Sequence, residues 1–254
     1  MKAKRAPIQL SCQSASPEVA MAGGSRKFYS RPMKGIINGV IVFAVALLAP
    51  QILQAQGTMT YLSNVDQASA GSLAVGSDSW LAALFITGTN SSGYTLDSIQ
   101  LEMTSASGNP SGFTVMIYSK SPSDIGVFPG SSIDTLDGSL NPTTAGIYTY
   151  TPALNLTLSA STDYFIVLTA GTTVANGAYD WSHADTYSYN PSGGWRTYAN
   201  VFYSSNGSAP WSSASSNDSQ FSINAIPIPE PGVLALSGLG GLLLLWHRHK
   251  SKAV

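Results

Sequence analysis

The sequence predicts an all-β fold, an antiparallel β-sandwich or jelly-roll-like domain over residues 56–225 with one apolar helix before it and one after it. Three observations predict it. From about Thr58 to Ala225 the chain is rich in Ser, Thr, Gly, Asn and Tyr and poor in Lys, Glu and Arg, so good helix formers are thin. Its β-branched and aromatic residues sit in short runs. Turn-forming clusters separate those runs: Gly108–Gly112, Asn141-Pro142, Asn176-Gly177, Asn190–Gly194 and Ser204–Asn217. Many short strands between such turns favour a sandwich over a parallel α/β sheet.

The strands can be placed in order. Leu81–Thr87 is a continuous apolar run, fit for a strand buried on both faces. Leu96, Ile99, Leu101 and Met103 mark a second strand whose alternation slips near Asp97-Ser98, the signature of a β-bulge. Phe113, Val115 and Ile117 share one face of a third strand. Ile147, Thr149 and Thr151 lie opposite Tyr148 and Tyr150, and Leu154, Leu156 and Leu158 alternate with polar residues. Tyr164, Ile166 and Leu168 alternate with Phe165 and Val167, which makes another strand apolar on both sides. Ala178–Ser182, Trp195–Tyr203 and Gln220–Ala225 complete the set. Residues 57–225 are enough for one domain with a real core.

Charge divides the chain into three. Seven of the 12 Lys and Arg lie in the first 34 residues and three more in the last seven. Residues 57–225 hold only Lys120 and Arg196 against eleven carboxylates, which leaves that stretch nine charges negative. Such a body cannot neutralise a run of phosphates, and nucleic-acid binding is excluded. The one cysteine, Cys12, lies in the head, so the body has no disulfide, thiol chemistry or Cys-based metal site.

The head has the layout of an export signal. Residues 26–34 are basic, Gly35–Ala49 is an apolar run without a charge, and Pro50 ends it ahead of a small residue, Ala55, at the expected cleavage position. A retained N-terminal anchor is the other reading, though the run is short for a span. Residues 1–32 are long for the basic region, and Met21 or Met33 would make a better start. On this reading 1–55 is a signal peptide recognised by the general secretion machinery.

The tail, 226–254, has three parts in order. Pro229, Glu230 and Pro231 precede an apolar stretch, 233–246, and a basic end, 247–254, with Arg248 in it. Fourteen residues of helix reach about 21 Å at 1.5 Å per residue, less than a ~30 Å hydrocarbon core, so the helix would hold the chain transiently or with local thinning. The basic end would stay on the inner side of the membrane and the body outside. This end resembles the PEP-CTERM sorting signal, in which a Pro-Glu-Pro motif, a transmembrane stretch and a short basic tail occur together. The resemblance implies a bacterial envelope protein, exported across the inner membrane and recognised there by an exosortase-type membrane enzyme, in a host that exports exopolysaccharide. Pro229, Glu230 and Pro231 would then be the sorting and processing motif, with Arg248 the arginine common in the basic tail; Ile228 stands where Val is the more usual residue. The body is similar to "choice-of-anchor" domains found upstream of such signals. That likeness rests on Leu156–Leu168, Tyr179–Ser182, Gly194-Trp195 and Phe221–Ile223, and it brings no assigned chemistry.

The residues offer little for catalysis, and the body reads as non-enzymatic. Asp180 and Asp185 flank His183, the body's one histidine, but strand alternation puts Asp180 on one face and His183 and Asp185 on the other. His183 and Asp185 alone are too few ligands for a transition metal. Asp124, Asp134 and Asp137 share a loop-rich segment with Asn141, and two readings stay open there: a solvated acidic loop or a structural Ca²⁺ site, the spacing matching no established calcium loop. No other cofactor is implied. Trp181, Tyr187, Tyr189, Trp195 and Trp211 lie among Asn and Asp in turn-rich stretches. They could form an aromatic platform for sugar rings, or Trp181 and Trp195 could be core anchors beside tyrosines on a wet sheet face. Trp211, alone in a low-complexity loop, either packs back or meets a ligand. Two functions follow: a structural or adhesive envelope protein with a passive sandwich, or a carbohydrate-binding module for the exopolysaccharide.

Overall fold

The computed structural model describes residues 57–122, 126–185, 189–198, 200–214 and 218–230, with Gly241. The expected signal segment with Ala55, the transmembrane stretch 233–246, Pro231 and Arg248 lie outside the described residues, as do Asp124 and Tyr187. Among the described residues fifteen strands run in order: β1 (Met59–Ser63), β2 (Ser69–Val75), β3 (Trp80–Ile86), β4 (Tyr94–Met103), β5 (Ser107–Gly108), β6 (Thr114–Lys120), β7 (Pro129–Asp137) and β8 (Gly146–Pro152). They continue as β9 (Leu156–Leu158), β10 (Asp163–Thr169), β11 (Gly177–Ala184), β12 (Val201–Ser204), β13 (Ser212–Ala214), β14 (Asp218–Ser219) and β15 (Phe221–Pro227). A short 3₁₀ turn, Val174–Asn176, leads into β11. Every strand pairing is antiparallel.

The pairing follows one curled path, β1-β15-β4-β8-β7-β6-β10-β3-β12-β13, with β2, β5, β9, β11 and β14 attached beside it. Strand β8 makes the corner. Its residues Gly146–Tyr150 pair with β4, and its last two, Thr151 and Pro152, pair with β7. A strand that changes partners in this way folds the sheet back over itself. A β-sandwich fits this curled antiparallel arrangement.

The bulge expected in β4 is present. Leu96 pairs with Ala225 and Ser98 with Asn224, so Asp97 is the extra residue. Tyr94 and Leu96 face inward before it, and Ile99, Leu101 and Met103 after it, all buried. Strands β3 and β10 are buried along nearly their whole length, as their continuous apolar runs imply. One set of their side chains joins the main core: Phe85 from β3, and Tyr164, Ile166 and Leu168 from β10. The other set, with Leu84, Phe165 and Val167, forms a second cluster on the outer face under Phe202 and Trp211. Phe165 meets Phe202 edge-on at 5.3 Å between ring centroids.

Four elements of the sequence reading need correction. Strand β7 occupies 129–137, where a loop-rich acidic segment was expected. Leu154 is 84% exposed, and the strand there begins only at Leu156. The expected strand 195–203 is a strand only from Val201, preceded by one isolated bridge between Arg196 and Ile86. The last strand runs to Pro227, two residues past the expected boundary of the domain.

Trp181 is fully buried, and its indole N–H donates to the carbonyl of Gln220 at 2.9 Å. Trp181→Ala is therefore expected to cost about 3–5 kcal/mol in urea unfolding. Tyr203→Ala, at a 48% exposed position, should cost less than about 0.5 kcal/mol. Equal costs would contradict this packing.

Candidate functional site

The residues singled out by the sequence separate once folded. Trp181, Trp195 and Trp211 are 0%, 2% and 7% exposed, so none offers a ring face to a ligand, and an aromatic platform built on them is overturned. Trp195 stacks between Tyr61 (4.8 Å) and Phe85 (5.9 Å) and meets Tyr94 edge-on. Each indole covers a large apolar area, which an aqueous face would leave unburied. Trp211 packs back on the outer cluster. Tyr189 is half-buried against Phe221 and donates its hydroxyl to the Ser219 carbonyl at 2.7 Å. Its ring is part of the wall, not a free surface.

Of the calcium candidates, Asp134 and Asp137 lie on strand β7 rather than in a loop, three residues apart, which points them to opposite faces. Asp134 accepts from the neighbouring Thr135 N–H, and Asn141 is taken by the Tyr179 hydroxyl at 2.7 Å. The loop reading of this pair is corrected accordingly. Among the described residues no group of three His, Cys, Asp or Glu is gathered as a metal site would require.

On strand β11, Asp180 accepts from the Ser72 hydroxyl (3.3 Å), while His183 lies over Gly71 of β2, where a Cβ would come within 2.8 Å of its Nε2. The short β14 pairs beside it, Ser219 opposite His183 and Asp218 opposite Ala184. Asp218 is 5% exposed, and its Oδ1, the Ser219 hydroxyl and His183 Nδ1 have no hydrogen-bond partner. Burial pushes the Asp218 carboxyl above the usual carboxylate range, and nearby His183 partly offsets this. Burial likewise raises Glu102 and Asp180, the latter moderated by its hydrogen bonds from Ser72 and Ser107.

The described part of the Pro-Glu-Pro triplet lies elsewhere, where the last strand leaves the sheet. The turn Asn90-Ser91-Ser92-Gly93 precedes β4 and closes with Gly93 N–H on the Asn90 carbonyl at 2.8 Å. The Asn90 side chain braces it, with Oδ1 accepting from Ser92 N–H (3.2 Å) and Nδ2 donating to the Gly93 carbonyl (2.9 Å), as asparagine does in Asx turns. Gly93 has φ +81°, and a Cβ there would stand 2.5 Å from the Leu158 carbonyl, so only glycine fits. The tail docks on this turn. Ile228 N–H donates to the Gly93 carbonyl at 3.0 Å, and Asn90 Nδ2 donates to the Ile228 carbonyl at 3.0 Å. Glu230 Oε1 accepts from both the backbone N–H and the hydroxyl of Ser91, each at 2.9 Å. Those two donors hold the Glu230 carboxyl below its usual range, the backbone N–H most. An open cleft of about 500 Å³ lies alongside, lined by Tyr61, Asn90, Tyr94, Gly193, Pro227 and Glu230. Sequence reasoning found Pro229 and Glu230 but not Ser91 or Asn90, whose local pattern signals only a turn.

No family model matches the chain, and no curated protein or solved structure does. No helix among the described residues is long and apolar enough to cross a membrane.

The Asp218 geometry sets a pH dependence. A carboxyl whose folded pKa is raised contributes stability at pH below its unfolded pKa, and that contribution is lost as pH rises through the folded value. Asp218→Asn removes the buried charge. At pH 8 it should raise Tm by roughly 2–4 °C, equivalent to about 1 kcal/mol in a domain of this size. At pH 5 the gain should shrink. Calorimetry at the two pH values checks it, and equal destabilisation at both would contradict the unpartnered charge.

Proposed function

We propose that this chain is an exported bacterial envelope or extracellular-matrix protein, sorted through its C-terminal signal, with a non-catalytic domain of jelly-roll-like sandwich type in a structural or adhesive role. A signal helix would begin the precursor and a transmembrane helix would end it. Its partners on this reading are the general secretion machinery and an exosortase-type membrane enzyme, with exopolysaccharide around it. One observation supports this most. The ladder of the last strand ends at Pro227, and the Pro-Glu-Pro triplet starts two residues later at Pro229. The strand itself therefore need not be unpaired for the motif to be read. The apolar stretch and basic end follow in the order the signal needs.

The sugar-binding alternative loses its residues, since the three tryptophans it relied on are buried. A matrix role asks less of the body: stability, an acidic solvated surface and a defined point of attachment. Lys120 and the half-buried Asp163 form an ion pair at 3.5 Å near the surface, and such pairs contribute at most about 1 kcal/mol.

Intact-mass and terminal-peptide analysis of protein from its native cells tests the proposal. A start near Gln56 and an end close to Pro231 are expected. A retained Lys252 peptide in membrane fractions would mean a simple anchor and would overturn sorting.

A further inference from the structure

We infer that the Asn90–Gly93 turn is a dock for the C-terminal strap Ile228-Pro229-Glu230, and that the strap must leave this dock before the Pro-Glu-Pro motif can be processed. The second half of the statement rests on the processing reading above; the first half does not.

The dock engages the strap at three points. Strand β15 pairs with β4 as far as Pro227 opposite Tyr94. Past the end of the ladder Ile228 is still bonded, its N–H to the Gly93 carbonyl and its carbonyl to the Asn90 side chain. Beyond Pro229, which has no N–H to give, the chain is caught again by Glu230 on Ser91. Two of these donors come from side chains of the turn and meet no other part of β15, so the sheet does not require them. An N–H and a hydroxyl converging on one carboxylate oxygen form a charge-assisted pair, stronger than neutral bonds. Glu230 is the motif's only charged side chain, and the turn occupies one of its oxygens. Pro229 and Glu230 are exposed, so the strap is held at its backbone and carboxylate and is not buried. An enzyme that takes the motif as an extended chain competes for those same groups.

The experiment uses the full chain in detergent micelles, with ¹⁵N labelling and ¹³C-carboxyl-labelled glutamate. The sequence has only three glutamates, Glu18, Glu102 and Glu230, so assignment is direct. The parent is compared with Ser91→Ala and with Asn90→Ala/Ser91→Ala, and retained amide protection in β3 and β10 shows that each variant is folded. Amide exchange at Ile228 is expected to be slowed in the parent and about tenfold faster in the double variant. The Glu230 carboxyl should titrate below the free value in the parent and move upward in Ser91→Ala. In the producing cells, pulse-chase of the tail should show faster removal from the double variant. If Ile228 exchanges equally fast in parent and double variant, the dock is overturned while the processing reading stands. If Ile228 is protected but tail removal runs at one rate in both, control of processing by the dock is overturned. If no tail is removed from either, the processing reading falls and the control with it, and the Ile228 exchange still decides the dock.

Discussion

The extra residue in strand β4 is the constraint on which the rest of the architecture depends. A strand with strict two-residue alternation would turn either Tyr94 and Leu96 or Ile99, Leu101 and Met103 to solvent. By inserting Asp97 and leaving it exposed, the chain keeps all five inside. The bulge also divides what β4 can pair with. Tyr94–Leu96 takes β9, and Ile99–Met103 takes β8, while on the opposite edge β15 runs from Tyr94 to Leu101 and Trp181 of β11 takes Met103. Because β8 carries the sheet over to β7, the bulge sets where the curled path begins to turn. Removing Asp97 would force a choice between two halves of the core.

A second feature governs the region where β11, β14 and β15 meet. Gln220 is fully buried and fully used: its amide donates to the carbonyls of Asn64 and Gln67, its Oε1 accepts from Ser182, and its backbone carbonyl takes the Trp181 indole. Asn64, equally buried, donates to the Ser219 carbonyl and accepts from Phe221 N–H. These side chains supply the partners that the break between β14 and β15 leaves without a strand, which is how buried polar groups become tolerable. Asp218, two residues before Gln220, lacks such partners for its Oδ1. Satisfied and unsatisfied polar groups thus sit side by side.

Much of this fold is legible in the sequence, and the limits have physical causes. Strands apolar on both faces announce themselves as unbroken runs, and the β4 bulge as a slip in phase, because burial leaves both patterns directly in the residue order. Strand β7 gives no such signal. Its exposed positions outnumber its buried ones, and Leu136 and Pro129 alone point inward. The tryptophans mislead for a different reason: composition places an aromatic among polar neighbours but does not tell which chain segment will cover it. Trp211 is covered through strands β3 and β10, more than forty residues upstream at the nearest. The strap is read in the same divided way. Its motif is visible as three adjacent letters, whereas the Ser91 that holds Glu230 is 139 residues away and looks like any serine in a turn.

The position of β15 joins folding to the tail. This strand is not an edge; it lies between β1 and β4, and Phe221, Ile223 and Ala225 are buried in the main core. The domain cannot close its sheet until residues 221–227 have been delivered, and the pairing of β15 with β1, which joins Met59 to Ala225, closes the longest loop in the sheet. The strap dock lies at the entry to β4, directly beyond the point where β15 pairs with that strand. The folded body, the last strand and the strap are therefore contiguous in the structure, joined through β4 and its entry turn. A motif placed farther down a flexible linker would be indifferent to whether the body had folded. Placed two residues beyond a central strand, it is coupled to that strand through the backbone bonds of Ile228.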